Sequence, residues 1–219
     1  MSNSLPLKIL TIIIPAVLII GLFLFTAKYF QPKPTLLNQP PVINIDPKPL
    51  KAEPKLALPL SAALERVAKK PFGLYVTPNN SPVKPEKFTG YHTGVDFEIM
   101  PGEENKDIAV SAVCAGKLLL KKSAAGYGGV AVQSCKLDNQ GITVIYGHLK
   151  LSSISLKVGQ AIAPGEKIGL LGKGYSSETG GERKHLHLGL HKGAGINLLG
   201  YAKQKSQLAG WLNALDYLQ

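Results

Sequence analysis

The sequence is short of cysteine and of acid. Two cysteines in 219 residues are too few for a cysteine-stapled mini-protein, and no Cys-x-x-Cys pair offers zinc a thiolate site. Charged residues make up only 18 % against 45 % hydrophobic ones, a composition that excludes a wholly disordered chain, a coiled coil and a collagen-like rod. No internal repeat stands out. The glycine-rich stretch Gly169-Leu170-Leu171-Gly172-Lys173-Gly174 lacks the spacing and the hydroxyl of a phosphate-cradling loop. Acidic residues number 14 against 25 Lys and Arg, a net charge of +11. Such an excess suits an acidic partner: nucleic acid, anionic lipid or an anionic polymer such as a cell wall. No nucleic-acid motif accompanies the charge, which argues against the first.

What is present begins with an apolar run. Ile9 to Ala27 contains no charged residue and is flanked by Lys8 and Lys28. As a helix it measures about 28 Å, roughly one bilayer core. A cleaved signal peptide has a shorter apolar region and ends in a small-x-small site. The run therefore predicts an uncleaved transmembrane signal anchor over 9–27, behind a cytoplasmic tail of residues 1–8, with the membrane as a partner. Lys8, Lys28 and Lys33 leave the positive-inside rule close to a tie. Orientation must come from the chemistry of the head.

Residues 28–60 read as a proline-rich linker. Pro32, Pro34, Pro40, Pro41, Pro47, Pro49, Pro54 and Pro59 are half of the 16 prolines. Proline fixes φ and removes amide donors, so the stretch predicts an extended spacer reaching up to about 90 Å.

The remainder, 61–219, is long enough to bury a core. Ser61 to Lys69 predicts a short helix with a serine cap. Beyond Pro71, short β-branched runs separated by Gly, Pro and Asn predict strands. They are Gly94–Ile99, Ile108–Cys114, Gly116–Lys121, Gly129–Ser134, Ile142–His148, Ala161–Ala163, Lys167–Leu171 and His185–Leu190. The fold class is therefore mainly β, an antiparallel sheet with short flanking helices. A final helix over about 204–218 would carry Leu208, Trp211, Leu212, Leu215 and Leu218 as a packing face. If a hairpin is centred on Ala124-Ala125, paired positions sum to about 249, which sets Cys114 opposite Cys135. A disulfide there requires an oxidising compartment outside the cytosol.

Five histidines are present. Along a strand, residues i and i+2 point to one face, so His185 and His187 project together. In His92-Thr93-Gly94-Val95-Asp96 a carboxylate follows a histidine by four residues, with Gly94 between them to let the backbone bend. Zinc takes nitrogen and oxygen donors of this kind, and a catalytic site uses three with a position left for water. His92, Asp96 and one of the His185/His187 pair make three. The other histidine of the pair, with His148, is left for proton transfer and charge stabilisation. His191 has no such company and reads as an ordinary solvated residue.

These blocks resemble the lysostaphin-type (LytM-domain) zinc metalloendopeptidases, which cut the peptide part of peptidoglycan. The resemblance spans about 71–192. It rests on HTGVDFE (92–98), the turn Val113-Cys114-Ala115-Gly116-Lys117, Gly126-Tyr127-Gly128-Gly129, VIYGHL (144–149), Val158-Gly159-Gln160, Pro164 to Gly169 and HLHLGL (185–190). It implies one zinc ion held by His92, Asp96 and His187, with His148 and His185 as catalytic histidines and a zinc-activated water attacking a peptide bond. It further implies a peptidoglycan substrate and a membrane-anchored head outside the cytoplasm, which settles the orientation of the anchor. Lys173 to Arg183 is a candidate groove wall, polar and flexible. Leu188 stands where many members carry an aromatic, and Met100 to Asp107 reads as a small insertion. The alternative is a catalytically silent relative that activates other wall hydrolases by binding them, but all five site residues are in place.

Overall fold

The computed structural model describes residues 56–66 and 69–219, within the unit Lys51–Gln219. The expected anchor at 9–27 and nearly all of the proline-rich segment lie outside the described residues. Among the described residues no helix is long and apolar enough to cross a membrane.

The strands are β1 (Tyr75–Val76), β2 (Gly90–His92), β3 (Gly94–Glu98), β4 (Ala109–Ser111), β5 (Gly116–Ala124), β6 (Gly128–Leu137), β7 (Gln140–Gly147), β8 (Leu149–Lys150), β9 (Ala161–Ile162), β10 (Lys167–Leu171), β11 (His185–Lys192), β12 (Tyr201–Ala202) and β13 (Trp211–Leu212). The fold is mainly β. A seven-stranded sheet runs β13-β11-β7-β6-β5-β9, with β3 also paired to β11. Two three-stranded sheets, β1-β2-β12 and β4-β10-β8, flank it. The strand-to-strand pairings are antiparallel.

Alternation along the strands decides what each face carries. On β11, Leu186, Leu188 and Leu190 enter the main core with Val144 and Tyr146 of β7 and Ala131 of β6. The other face carries His185 and His187 above a second cluster of Val130, Val132, Ile145, Tyr127 and Trp211. Tyr146 is buried among the leucines because its hydroxyl is satisfied. It donates to Gln133 Oε1 at 2.7 Å and accepts from Val113 N at 2.9 Å.

Three expectations need correction. The helix over 204–218 does not form. Lys205–Gly210 and Ala214–Asp216 are 3-10 turns, and between them β13 pairs with Leu190 and His191 of β11. Pairing to an open sheet edge outweighs a helical pattern interrupted by Gly210 and by Asn213, whose side chain caps the last turn. Among the described residues of 61–69 the expected helix is only the 3-10 turn Ala63–Glu65, entered through a left-handed Ala62 (φ 50°). The folded unit also starts before Ser61. Leu56 and Leu60 are core residues, and Leu56 bridges to Leu218.

Cys114 and Cys135 form a disulfide with their Cα atoms 6.0 Å apart. The register differs from the expected one: Ala124 faces Gly128, so the turn centres on Gly126, and a shift between Leu118 and Leu120 displaces the pairing beyond it. Cys114 lies before β5, in the turn that reaches Cys135.

Candidate metal centre

Three strands deliver the central residues. His92 ends β2, Asp96 sits within β3, and His187 lies on β11 directly opposite Asp96. Thr93 separates β2 from β3 and is pinned by its amide to Gly200 O (3.1 Å) and its hydroxyl to Leu199 O (2.6 Å). The chain thus changes sheets between the two residues while both side chains turn to one point.

His92 Nε2 lies 3.1 Å from Asp96 Oδ1 and 3.0 Å from His187 Nδ1, and His187 Nδ1 lies 3.2 Å from Asp96 Oδ1. All three side chains are buried. Four donors at zinc distances of about 2.0–2.1 Å in a tetrahedron stand about 3.3 Å apart, so this triangle has the dimensions of three corners. Its chemistry agrees. His92 Nδ1 faces the carbonyl of Pro71 at 3.2 Å and must donate to it, so in the neutral ring Nε2 presents a lone pair. Asp96 Oδ1 is itself an acceptor. Lone pairs facing each other across about 3 Å need a cation or a proton between them, and a divalent cation answers all three at once. Burial would raise Asp96, but the facing His92 and His185 rings and its hydrogen bonds hold it well below the usual carboxylate range. The residues fit zinc: His92, Asp96 and His187 would hold it.

Glycine makes room for this arrangement. A Cβ on Gly94 would lie 2.6 Å from the carbonyl of Leu188 and 2.7 Å from His187 Nε2. A Cβ on Gly147 would lie 2.5 Å from the Tyr127 ring. The glycine of the His-x-Gly-x-Asp block thus supplies space for the His187 ring rather than the bend expected of it.

His185 and His148 stand beside the triangle. His185 Nε2 is 3.3 Å from Asp96 Oδ2, and the two rings are 4.2 Å apart. His185 Nδ1 donates to Arg183 O at 2.9 Å and His148 Nδ1 donates to Thr179 O at 3.0 Å. In the neutral rings both Nε2 atoms are therefore acceptors. His148 sits where β7 ends and β8 departs to another sheet, with a left-handed φ of 64° that few side chains tolerate. Burial pushes the His148 imidazole well below its usual range, with the His185 charge adding to the effect. These residues line a cavity of about 300 Å³ that also touches Asp96, His187, Tyr127, Glu182 and Tyr201. His191 is not part of the site: it is half-buried against Trp211, ring centres 4.8 Å apart.

The 173–183 segment is more than a connecting loop. Ser176 and Thr179 cap a 3-10 turn, Thr179 is buried, and its carbonyl orients His148. Gly128, from the glycine pair at 126–129, lets this segment pass so closely that a Cβ there would meet Glu178 O at 2.2 Å. The insertion at 100–107 stays clear of the site but is tied beneath it, since Lys184 Nζ donates to the carbonyls of Glu103 (3.1 Å), Glu104 (3.2 Å) and Lys106.

Two groups escaped the sequence reading. Arg183 Nη2 donates to Asp96 Oδ2 at 2.8 Å, and its Nε donates to both carboxylate oxygens of Glu98. Tyr127 packs edge-on against His187, and among the described residues its buried hydroxyl has no hydrogen-bond partner. Strand alternation gave no signal for the first, because Arg183 lies before β11 begins at His185 and only the fold brings it to Asp96 and Glu98.

No curated protein matches the chain. Among solved structures, Helicobacter pylori Csd3 is 25 % identical over 68 % of this chain and 35 % of its own, with a TM-score of 0.41. LytU is 21 % identical over 70 % of this chain and 90 % of its own (TM-score 0.45). A zinc containing peptidase from Vibrio cholerae is 23 % identical over 61 % of this chain and 35 % of its own (TM-score 0.39). The chain thus spans about a third of the length of two of these neighbours. Residues 90–198, which carry His92, Asp96, His148, His185 and His187, match peptidase family M23, and through them the chain belongs to that LytM-type family.

Proposed function

We propose that this chain is a membrane-anchored zinc metalloendopeptidase that hydrolyses peptide bonds in peptidoglycan cross-links or stem peptides. The observation that carries the reading is the buried triangle of His92 Nε2, Asp96 Oδ1 and His187 Nδ1, no edge longer than 3.2 Å, with two further imidazoles beside it. When bound, zinc supplies an activated water and a Lewis acid for the scissile carbonyl. The protein does the rest. His148 and His185, each committed at Nδ1 to a backbone carbonyl, leave Nε2 as the atom to take a proton from the nucleophile and return it to the leaving amine, with Asp96 Oδ2 3.3 Å from that of His185. In their protonated form they are donors for the negative oxygen of the tetrahedral stage. The cavity they share bounds the space for the peptide.

The site faces outward in this reading. Its substrate lies beyond the cytoplasmic membrane, the Cys114–Cys135 disulfide suits an oxidising compartment, and the basic chain suits an acidic wall. The anchor at 9–27 and the proline-rich segment supply tether and reach.

The test uses the full chain, purified and loaded with zinc, on isolated peptidoglycan, with fragments identified by mass spectrometry. Release of new peptide termini, abolished by a chelator and restored by zinc, is the expected result. A protein that takes up no zinc and still binds wall or wall hydrolases would be the silent binding module instead.

A further inference from the structure

The Asp96 carboxylate splits its two oxygens between different neighbours. Oδ1 belongs to the triangle with His92 and His187, whereas Oδ2 accepts from Arg183 Nη2 at 2.8 Å and also lies 3.3 Å from His185 Nε2. The guanidinium is itself clamped. Its Nε donates to Glu98 Oε1 and Oε2 at 2.9 and 2.8 Å, and Nη2 also reaches Oε1. The β3–β11 register sets Asp96 opposite His187 and Glu98 opposite His185. Arg183 lies two residues before β11, outside that ladder, and its side chain reaches back to bond both carboxylates. A planar guanidinium bonds both carboxylates through a rigid fork of donors, whereas an ammonium is a compact charge whose donors rotate freely.

We propose that Arg183, held by Glu98, is a positioning residue for the metal: it occupies Asp96 Oδ2 so that the carboxylate offers the cation one oxygen and not two. The inference rests on the zinc reading above. A carboxylate with both oxygens free can chelate a cation and fill the position that a water or peptide carbonyl must enter. Arg183 prevents this while Glu98 cancels its charge, so orientation is gained with little added repulsion toward a divalent ion.

The experiment compares the full chain with R183A, R183K and E98Q. Each is stripped of metal, checked for fold by circular dichroism, and titrated with zinc against a chromophoric chelator. Each is also loaded with cobalt(II) for its visible absorption. Loss of such supporting bonds weakens metal affinity about 10–100-fold, and that loss is expected for R183A. R183K should recover only part of it, and E98Q, which keeps the guanidinium but loosens it, should fall between. The cobalt bands of R183A should weaken as a second Asp96 oxygen raises the coordination number. If R183A does not fold, R183K decides. A folded R183A or R183K with wild-type zinc affinity and an unchanged cobalt spectrum overturns this inference alone. A wild-type chain that binds no zinc overturns it together with the proposed function.

Discussion

Under the proposed mechanism, one residue separates metal binding from turnover at this site. His148 spends Nδ1 on the Thr179 carbonyl, and its ring lies 4.2 Å from that of His185 and lines the same cavity. His148→Ala should therefore retain a full equivalent of zinc while losing about 10²-fold or more in wall cleavage, the scale of one lost oxyanion donor. Zinc-replete H148A with wild-type cleavage would remove the residue from the mechanism. Gly94→Ala should do the opposite, because its Cβ would press on the His187 ring and the Leu188 carbonyl. Overpacking of this kind costs about 1–3 kcal/mol. Zinc stoichiometry and thermal midpoint should fall together, and a G94A protein normal in both would show that the neighbours yield. The five residues were legible because strand alternation and ligand spacing are local patterns. Which histidine of the pair meets Asp96 was not, since it depends on a register with a strand some ninety positions away (His187 opposite Asp96). Arg183 was missed for the same reason: its partners lie on β3, not beside it in sequence.

Elements were readable where burial alternates and opaque where tertiary pairing decides. Each of the eight expected runs holds a strand. Most carry β-branched residues, whereas GKLLLK and HLHLGL have none and depend on alternation and pairing. The C-terminal segment was misread because its leucines fit a helical face equally well, and only the unpaired edge of β11 selects the extended Trp211-Leu212 pair. The insertion at 100–107 gained a role that its sequence did not announce. Glu103 accepts from buried Arg66 at 2.9 Å and also caps Met100 N, while its backbone carbonyl receives Lys184. The Arg66 bond is the main reason that Glu103 falls from 4.5 to about 2. A folded-state value below the unfolded one means that the contribution is complete above about pH 4.5 and is lost as pH falls through 2. Glu103→Gln should therefore lower the thermal midpoint at pH 7, and the gap to wild type should close between pH 4.5 and 2. A gap constant over that window would mean that the carboxylate charge contributes nothing.

At the scale of the molecule, the boundary between spacer and folded unit carries the most consequence. Pro54 and Pro59 drew the spacer out to residue 60, because proline denies a sheet its donors. Acceptors and side chains are not denied: Pro59 O accepts from Ser111 N at 2.8 Å, Ala57 N donates to Val113 O at 2.7 Å, and Leu56 N donates to Tyr217 O at 3.2 Å. Leu56 and Leu60 are 1 % and 3 % exposed. Each fully buried leucine contributes about 1.5–3 kcal/mol, so a fragment beginning at 61 forfeits about 3–6 kcal/mol and uncovers Leu218. Against a typical stability of about 5–15 kcal/mol, that is a large share. At about 2–4 °C per kcal/mol for a unit of this size, the fragment 61–219 should melt at least about 6 °C below the fragment 51–219, which should match the folded unit of the full chain. Equal midpoints for the two fragments would return residues 56–60 to the spacer. The same contacts explain why the two ends of the folded unit stay together: the strand-like entry at Leu56 is bonded to Tyr217 and bridged to Leu218, so residues 56–60 and the last turn share one piece of core with Cys114.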